Sequence, residues 1–270
     1  HISGGLGTAC FGLTRGLAKH DVDVIFVVPK AYGDENQESV RLVNASDVTV
    51  DMEDSEYKEY WKRIEYMEIG SNIIPYVSPE EFEKITSKKE LEKISKKSKV
   101  FSRKYDFSGK YGTNLLEEVS RYALVASAIA ASQEFDIIHA HDWLTYAAGV
   151  AAKEVSGKPL VVHMHATEFD RSGENVNQPV YDLERRGMEA ADRVIAVSNL
   201  TRQTVINRYG ISPEKVVTVH NAVEPVEKQV EDADKHVKEK IVPFLGRSTF
   251  QKGPELPHLS IWKPKGHRIA

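Results

Sequence analysis

Cysteine is nearly absent: Cys10 stands alone among 270 residues. A single thiol cannot close an internal disulfide, so the fold must rest on a packed core. That usage fits a reducing compartment, and a cytoplasmic location is the expectation. Uninterrupted apolar runs are also short, which excludes a bilayer-spanning helix of about 20 residues. A basic excess is missing too. The formal net charge of -4 at pH 7 offers no electrostatic footprint for nucleic acid. No secretory leader is visible, and the chain begins at His1 rather than methionine, so its natural beginning is expected to lie upstream. What remains, 41% hydrophobic and 28% charged residues, is a globular composition with room for one large domain or two small ones.

The chemistry gathers in the run Asp136-Ile137-Ile138-His139-Ala140-His141-Asp142-Trp143. Residues 136–140 read as a buried strand whose carboxyl end carries a polar cluster. The next strand, residues 160–165, ends likewise in His163-Met164-His165 and runs on to Thr167, Glu168 and Asp170. In open α/β sheets ligands bind outside the carboxyl ends of the strands, so two such endings side by side point to a site.

The rest of the chain supplies the frame. Gly4, Gly5, Leu6 and Gly7 read as a glycine-rich loop feeding a helix over residues 9–19, a combination able to approach and hold an anion. Residues 22–28 read as a buried parallel strand. Residues 30–112 are polar and charge-rich and read as a surface insertion, with a possible strand at 73–77. Helical periodicity returns over 114–133, where Leu115, Val119, Tyr122, Ala123, Ala126, Ile129 and Ala130 share a face. Helices follow at 143–154, 179–191 and 199–209, with strands at 193–197 and 215–219. Ser198 suits an N-cap and Gly210 a helix stop. This alternation predicts an α/β fold, a parallel sheet with helices on both faces. The expected organisation is one domain over 1–225, a charged linker at 226–239 and the start of a second domain at 240–270.

In this order the motifs resemble those of the retaining GT-B glycosyltransferases, most closely the glycogen and starch synthase group. The resemblance rests on Gly4-Gly5-Leu6-Gly7, His139-Ala140-His141-Asp142-Trp143, His165, Val197-Ser198, His220-Asn221-Ala222-Val223-Glu224, and Gly246-Arg247-Ser248-Thr249-Phe250-Gln251-Lys252-Gly253. It implies a Rossmann-like amino-terminal, acceptor-side domain. It also implies an enzyme moving glucose from ADP- or UDP-glucose to an α-glucan or another saccharide with retention. Asp142 and His165 would face the reacting sugar, and Arg247 and Lys252 the donor diphosphate. Gly4, Gly5, Leu6, Gly7, His141, Trp143, Glu168 and Asn221 would line the substrates. The charge stabilisers are side chains, so neither a metal nor another cofactor is called for. The sequence departs from the family pattern in three ways. The family's first strand is absent before residue 4, the synthase lysine has no counterpart beside Ile2 and Ser3, and the paired-glutamate donor motif is missing. The resemblance therefore implies a fragment that by itself transfers no sugar.

Two other readings stay open. His139-x-His141 and His163-x-His165 with Asp142 offer the ligand types of a zinc hydrolase, although pairs set along strands lie deep for sharing one ion. Alternatively, the segment is a non-catalytic carbohydrate-binding half-domain.

Overall fold

The computed structural model describes residues 4–33, 35, 37–53, 100–108 and 115–222. The possible strand at 73–77, the linker 226–239 and the segment 240–270, with Arg247 and Lys252, lie outside the described residues.

Helix α1 (Gly4–Ala18) opens the chain. The expected glycine loop is therefore the first turn of a helix, which the following helical pattern extends backwards at little cost. The leading N–H groups of any helix lack intrahelical partners, and Gly5 has open space around it. Strands β1 (Ile25–Val28) and β2 (Arg41–Asn44) pair in parallel, Ile25 opposite Arg41. Strands β3 (Val50–Glu53) and β4 (Val100–Arg103) pair antiparallel.

Parts of the region read as a solvated insertion thus carry structure. Ala45, Val50, Tyr105 and Phe107 are buried in one cluster with Tyr122, Leu124, Val125 and Ile129. Their apolar runs are too short to display a period, so only the contacts reveal them. The latter four residues belong to α2 (Leu115–Ser132), whose Tyr122 hydroxyl donates to the Val27 carbonyl of β1 at 3.0 Å.

From here strand and helix alternate as expected. Strand β5 (Ile138–His141) leads to α3 (Trp143–Ser156) and β6 (Leu160–Met164). A short helix α4 (Glu168–Ser172), then α5 (Gln178–Ala190), lead to β7 (Arg193–Ala196). Helix α6 (Asn199–Tyr209) leads to β8 (Val216–Thr218). The four strands form one parallel sheet in chain order, β5-β6-β7-β8. With right-handed crossovers, that order puts α3, α5 and α6 over one face.

Alternation along the strands divides the sheet's two faces. Leu160, Val162, Met164, Val194 and Ala196 are fully buried in a core with Tyr146, Met188, Val205 and Tyr209. Each large apolar side chain so buried contributes about 1.5–3 kcal/mol relative to exposure. The histidines of β5 and β6 take the other parity. Close approach of α3 and α5 needs Gly187: a Cβ there would lie 2.5 Å from the Tyr146 Cβ. The ends are cut as their chemistry demands. Ser198 accepts from the Thr201 amide, Gly210 takes the left-handed conformation at φ 72°, and Thr167 and Asp170 form a capping box.

Candidate active site at the sheet edge

Asp142 is the first residue beyond β5, and its backbone is unusual. At φ 64° and ψ 164° it occupies a region that favours glycine, a strain of about 1–3 kcal/mol. It stands at the N-cap position of α3, yet its side chain makes no capping bond. The plain capping role is therefore not what holds it there. Its amide donates to the His163 carbonyl at 2.9 Å and its carbonyl accepts from the Thr145 hydroxyl at 3.1 Å. These bonds anchor the turn, while Oδ1 is buried without a hydrogen-bond partner among the described residues. Burial pushes the carboxyl up to about 6, against the pull of Arg171 and of the Ala166, His165 and Trp143 amides. Cys10 of α1 feels the same carboxylate. Burial, then the charge of Asp142, raises its thiol to about 11 and keeps it neutral.

Four imidazoles cover the sheet face beside this turn. In the register His141 lies opposite His163, and period-two alternation brings His139 and His165 to the same face. Ring centroids are 4.3 Å apart for His139–His141, 5.1 Å for His141–His163 and 5.4 Å for His139–His163. His141 Nδ1 sits 3.1 Å from His165 Nε2. Burial first, then mutual repulsion, lowers His141 to about 2, His163 to about 3 and His165 to about 4; burial also lowers His139. All four are neutral at pH 7. One nitrogen each of His139, His141 and His163 falls within 4.8 Å of the others. Depth along the strands is therefore no obstacle to a shared ion, contrary to the expectation from sequence.

Two expected substrate contacts point inward instead. Trp143, the first residue of α3, is buried in the main core. Glu168 is 3% exposed. Its Oε1 accepts from the Ser172 hydroxyl and the Asn177 amide, and its Oε2 from Arg171, so most of its accepting capacity is spent within the fold. Asn221 follows β8 and is exposed at the carboxyl end of that strand.

Residues 100–227, from β4 to just beyond β8, match the family model described as Glycosyltransferase Family 4. This segment is similar to a family 4 glycosyltransferase domain. An uncharacterized glycosyltransferase of Methanocaldococcus jannaschii is 27% identical over 136 residues, 45% of this chain and 35% of that protein. A D-inositol 3-phosphate glycosyltransferase of Catenulispora acidiphila is 30% identical over 48% of this chain and 34% of its own length. An alpha-maltose-1-phosphate synthase of Mycolicibacterium smegmatis is 33% identical over 43% and 34% respectively. The matched part of the chain thus spans about a third of the length of these relatives. Among the described residues no helix is long and apolar enough to cross a membrane.

Sequence reasoning missed one part of this site. Arg171 of α4 pairs with Glu168 at 3.0 Å and with Glu184 of α5, and donates to the Ala166 carbonyl at 2.9 Å. Glu184 is wholly buried and also accepts from the Tyr209 hydroxyl and the Glu168 amide. Burial raises Glu184 to about 7 although Arg171 and these donors oppose it. At Glu168 burial works against charge too, but bonds from Ser172, Asn177 and Arg171 outweigh it and lower the pKa. The network fixes the chain just after β6 and sets a cation near Asp142. An acidic residue on an apolar helix face was the available signal, and Glu184 among Val180, Gly187 and Met188 fits it.

Proposed function

We propose that this domain is the acceptor-side half of a retaining glycosyltransferase that moves a hexosyl group from a nucleotide sugar to an acceptor hydroxyl. The observation that carries the reading is Asp142, strained and buried beside the carboxyl edge of the parallel sheet with one carboxylate oxygen unspent. Strain and an unsatisfied oxygen both cost stability, and sites of substrate contact are where such costs persist. In this reading Asp142 hydrogen-bonds a sugar or acceptor hydroxyl, and His165, oriented through His141, reaches the donor hexose. Arg247 grips the leaving diphosphate through a two-pronged guanidinium and Lys252 adds a point charge, which stabilises the charge that develops on departure. No step of this scheme uses a metal.

The donor we favour is ADP- or UDP-glucose and the acceptor an α-glucan. The names of two relatives, one acting on D-inositol 3-phosphate and one making alpha-maltose 1-phosphate, add phosphorylated acceptors to the test. Within a complete two-domain parent, radiolabelled transfer from each donor is measured onto glycogen, D-inositol 3-phosphate and glucose 1-phosphate. Asp142→Asn, Arg247→Ala and Lys252→Ala are each expected to cost about 2–4 kcal/mol of transition-state stabilisation. Arg247→Lys recovers part of the loss, because a point charge replaces the fork. Wild-type kinetics in all three variants would remove these residues from the reaction.

A further inference from the structure

We propose that His139, His141 and His163 form a binding site for one divalent ion of the zinc class on the sheet face next to Asp142. Their candidate ligand nitrogens already lie within 4.8 Å of one another, on neighbouring strands whose register fixes them. The second observation is polar dissatisfaction. His163 is only 6% exposed, yet neither of its ring nitrogens has a hydrogen-bond partner among the described residues, and Nε2 of His139 is likewise unpartnered. Buried imidazole nitrogens left bare are costly, and coordination removes that cost.

The chemistry of the set selects the ion. Imidazole nitrogen suits zinc, nickel and copper, whereas magnesium and calcium require oxygen ligands that this trio lacks. His165 supplies the outer support. Its contact with Nδ1 of His141 fixes the orientation of that ring and leaves Nε2 for the ion. Three nitrogen ligands with a fourth position left to water is a familiar zinc arrangement. The site shares His141 and His165 with the sugar-transfer reading but assigns the ion no step in it.

The test uses the 270-residue chain without a polyhistidine tag, stripped with a chelator and titrated with Zn²⁺ and, for its visible spectrum, Co²⁺. The expected result is one equivalent bound per chain, a tetrahedral cobalt spectrum displaced by zinc, and no competition from Mg²⁺ or Ca²⁺. His139→Gln and His163→Gln should each weaken binding by about 100-fold and His165→Gln by about 10-fold, while the surface change His20→Gln leaves it intact. Far-UV circular dichroism separates a lost ligand from a lost fold, and the half-buried His139 provides the safer variant should His163→Gln not fold. Absence of stoichiometric binding, or binding that survives His139→Gln in a folded protein, overturns the proposal. Transfer by a two-domain parent in chelator addresses the sugar reading separately.

Discussion

Replacing Arg171 by alanine should be among the most damaging single changes in the domain. The guanidinium serves Glu168, which is 3% exposed, Glu184, which is fully buried, and the Ala166 carbonyl. Removing one partner of a buried ion pair costs about 3–5 kcal/mol. Two facts move the value to the lower end. Each carboxylate keeps other donors, Ser172 and Asn177 for Glu168 and Tyr209 and the Glu168 amide for Glu184. Arg171 is itself 26% exposed, so water weakens its pairs. We expect a loss of about 3 kcal/mol at pH 8, or about 6–12 °C in Tm for a domain of this size. Urea unfolding followed by circular dichroism measures it directly. The loss should shrink towards pH 5, where protonation relieves the stranded carboxylates. Arg171→Lys should recover about half of it, since charge is kept but the fork is not. A loss below about 1 kcal/mol, or one that does not change between pH 8 and pH 5, would refute the claim that this cation holds the network together.

Other consequences are as specific. Asp142→Gly should raise stability by about 1 kcal/mol, the relieved strain less the entropy of glycine, while abolishing transfer in a complete parent; a destabilised variant would mean the turn is not strained. Gly187→Ala should cost about 2–3 kcal/mol because its Cβ would lie 2.5 Å from the Tyr146 Cβ and 2.6 Å from the ring. Gly12→Ala, with nothing within 4 Å, should instead gain up to about 1 kcal/mol of helix stability. Both are read from denaturant midpoints. Glu184, raised to about 7 in the fold, keeps its proton above the ordinary glutamate value. It therefore favours the folded state at low pH, and that advantage, about 3 kcal/mol, is lost as pH rises from 4.5 to 7. The histidines and Asp142 also titrate in that window, alike in both proteins, so the difference in stability between the native protein and Glu184→Gln should shift against the native protein by about 3 kcal/mol from pH 4.5 to 7.

The parallel sheet was legible in the sequence because strand and helix declare themselves locally. The apolar runs at β5, β6 and β7, the helical period of α2, the cap at Ser198 and the stop at Gly210 each depend on neighbours within a few residues. The polar strand ends were legible for the same reason, so Asp142 and the four histidines could be singled out. What local pattern does not contain is the partner. Arg41–Asn44 became a strand only because β1 offered its edge. Trp143 turned into the core and Glu168 onto Arg171, although their positions in the chain looked equally suited to a cleft.

The histidines illustrate the division most sharply. Alternation along each strand established that His139 and His141 share one face, and His163 and His165 another. That these are the same face, with ring nitrogens of His139, His141 and His163 within 4.8 Å of one another, followed from the register that sets His141 against His163. Register is decided by hydrogen bonds between strands far apart in sequence and by burial of Leu160, Val162 and Met164 on the opposite side. A shift of one residue would have turned the histidines of β6 into that core, so tertiary packing alone could place them together.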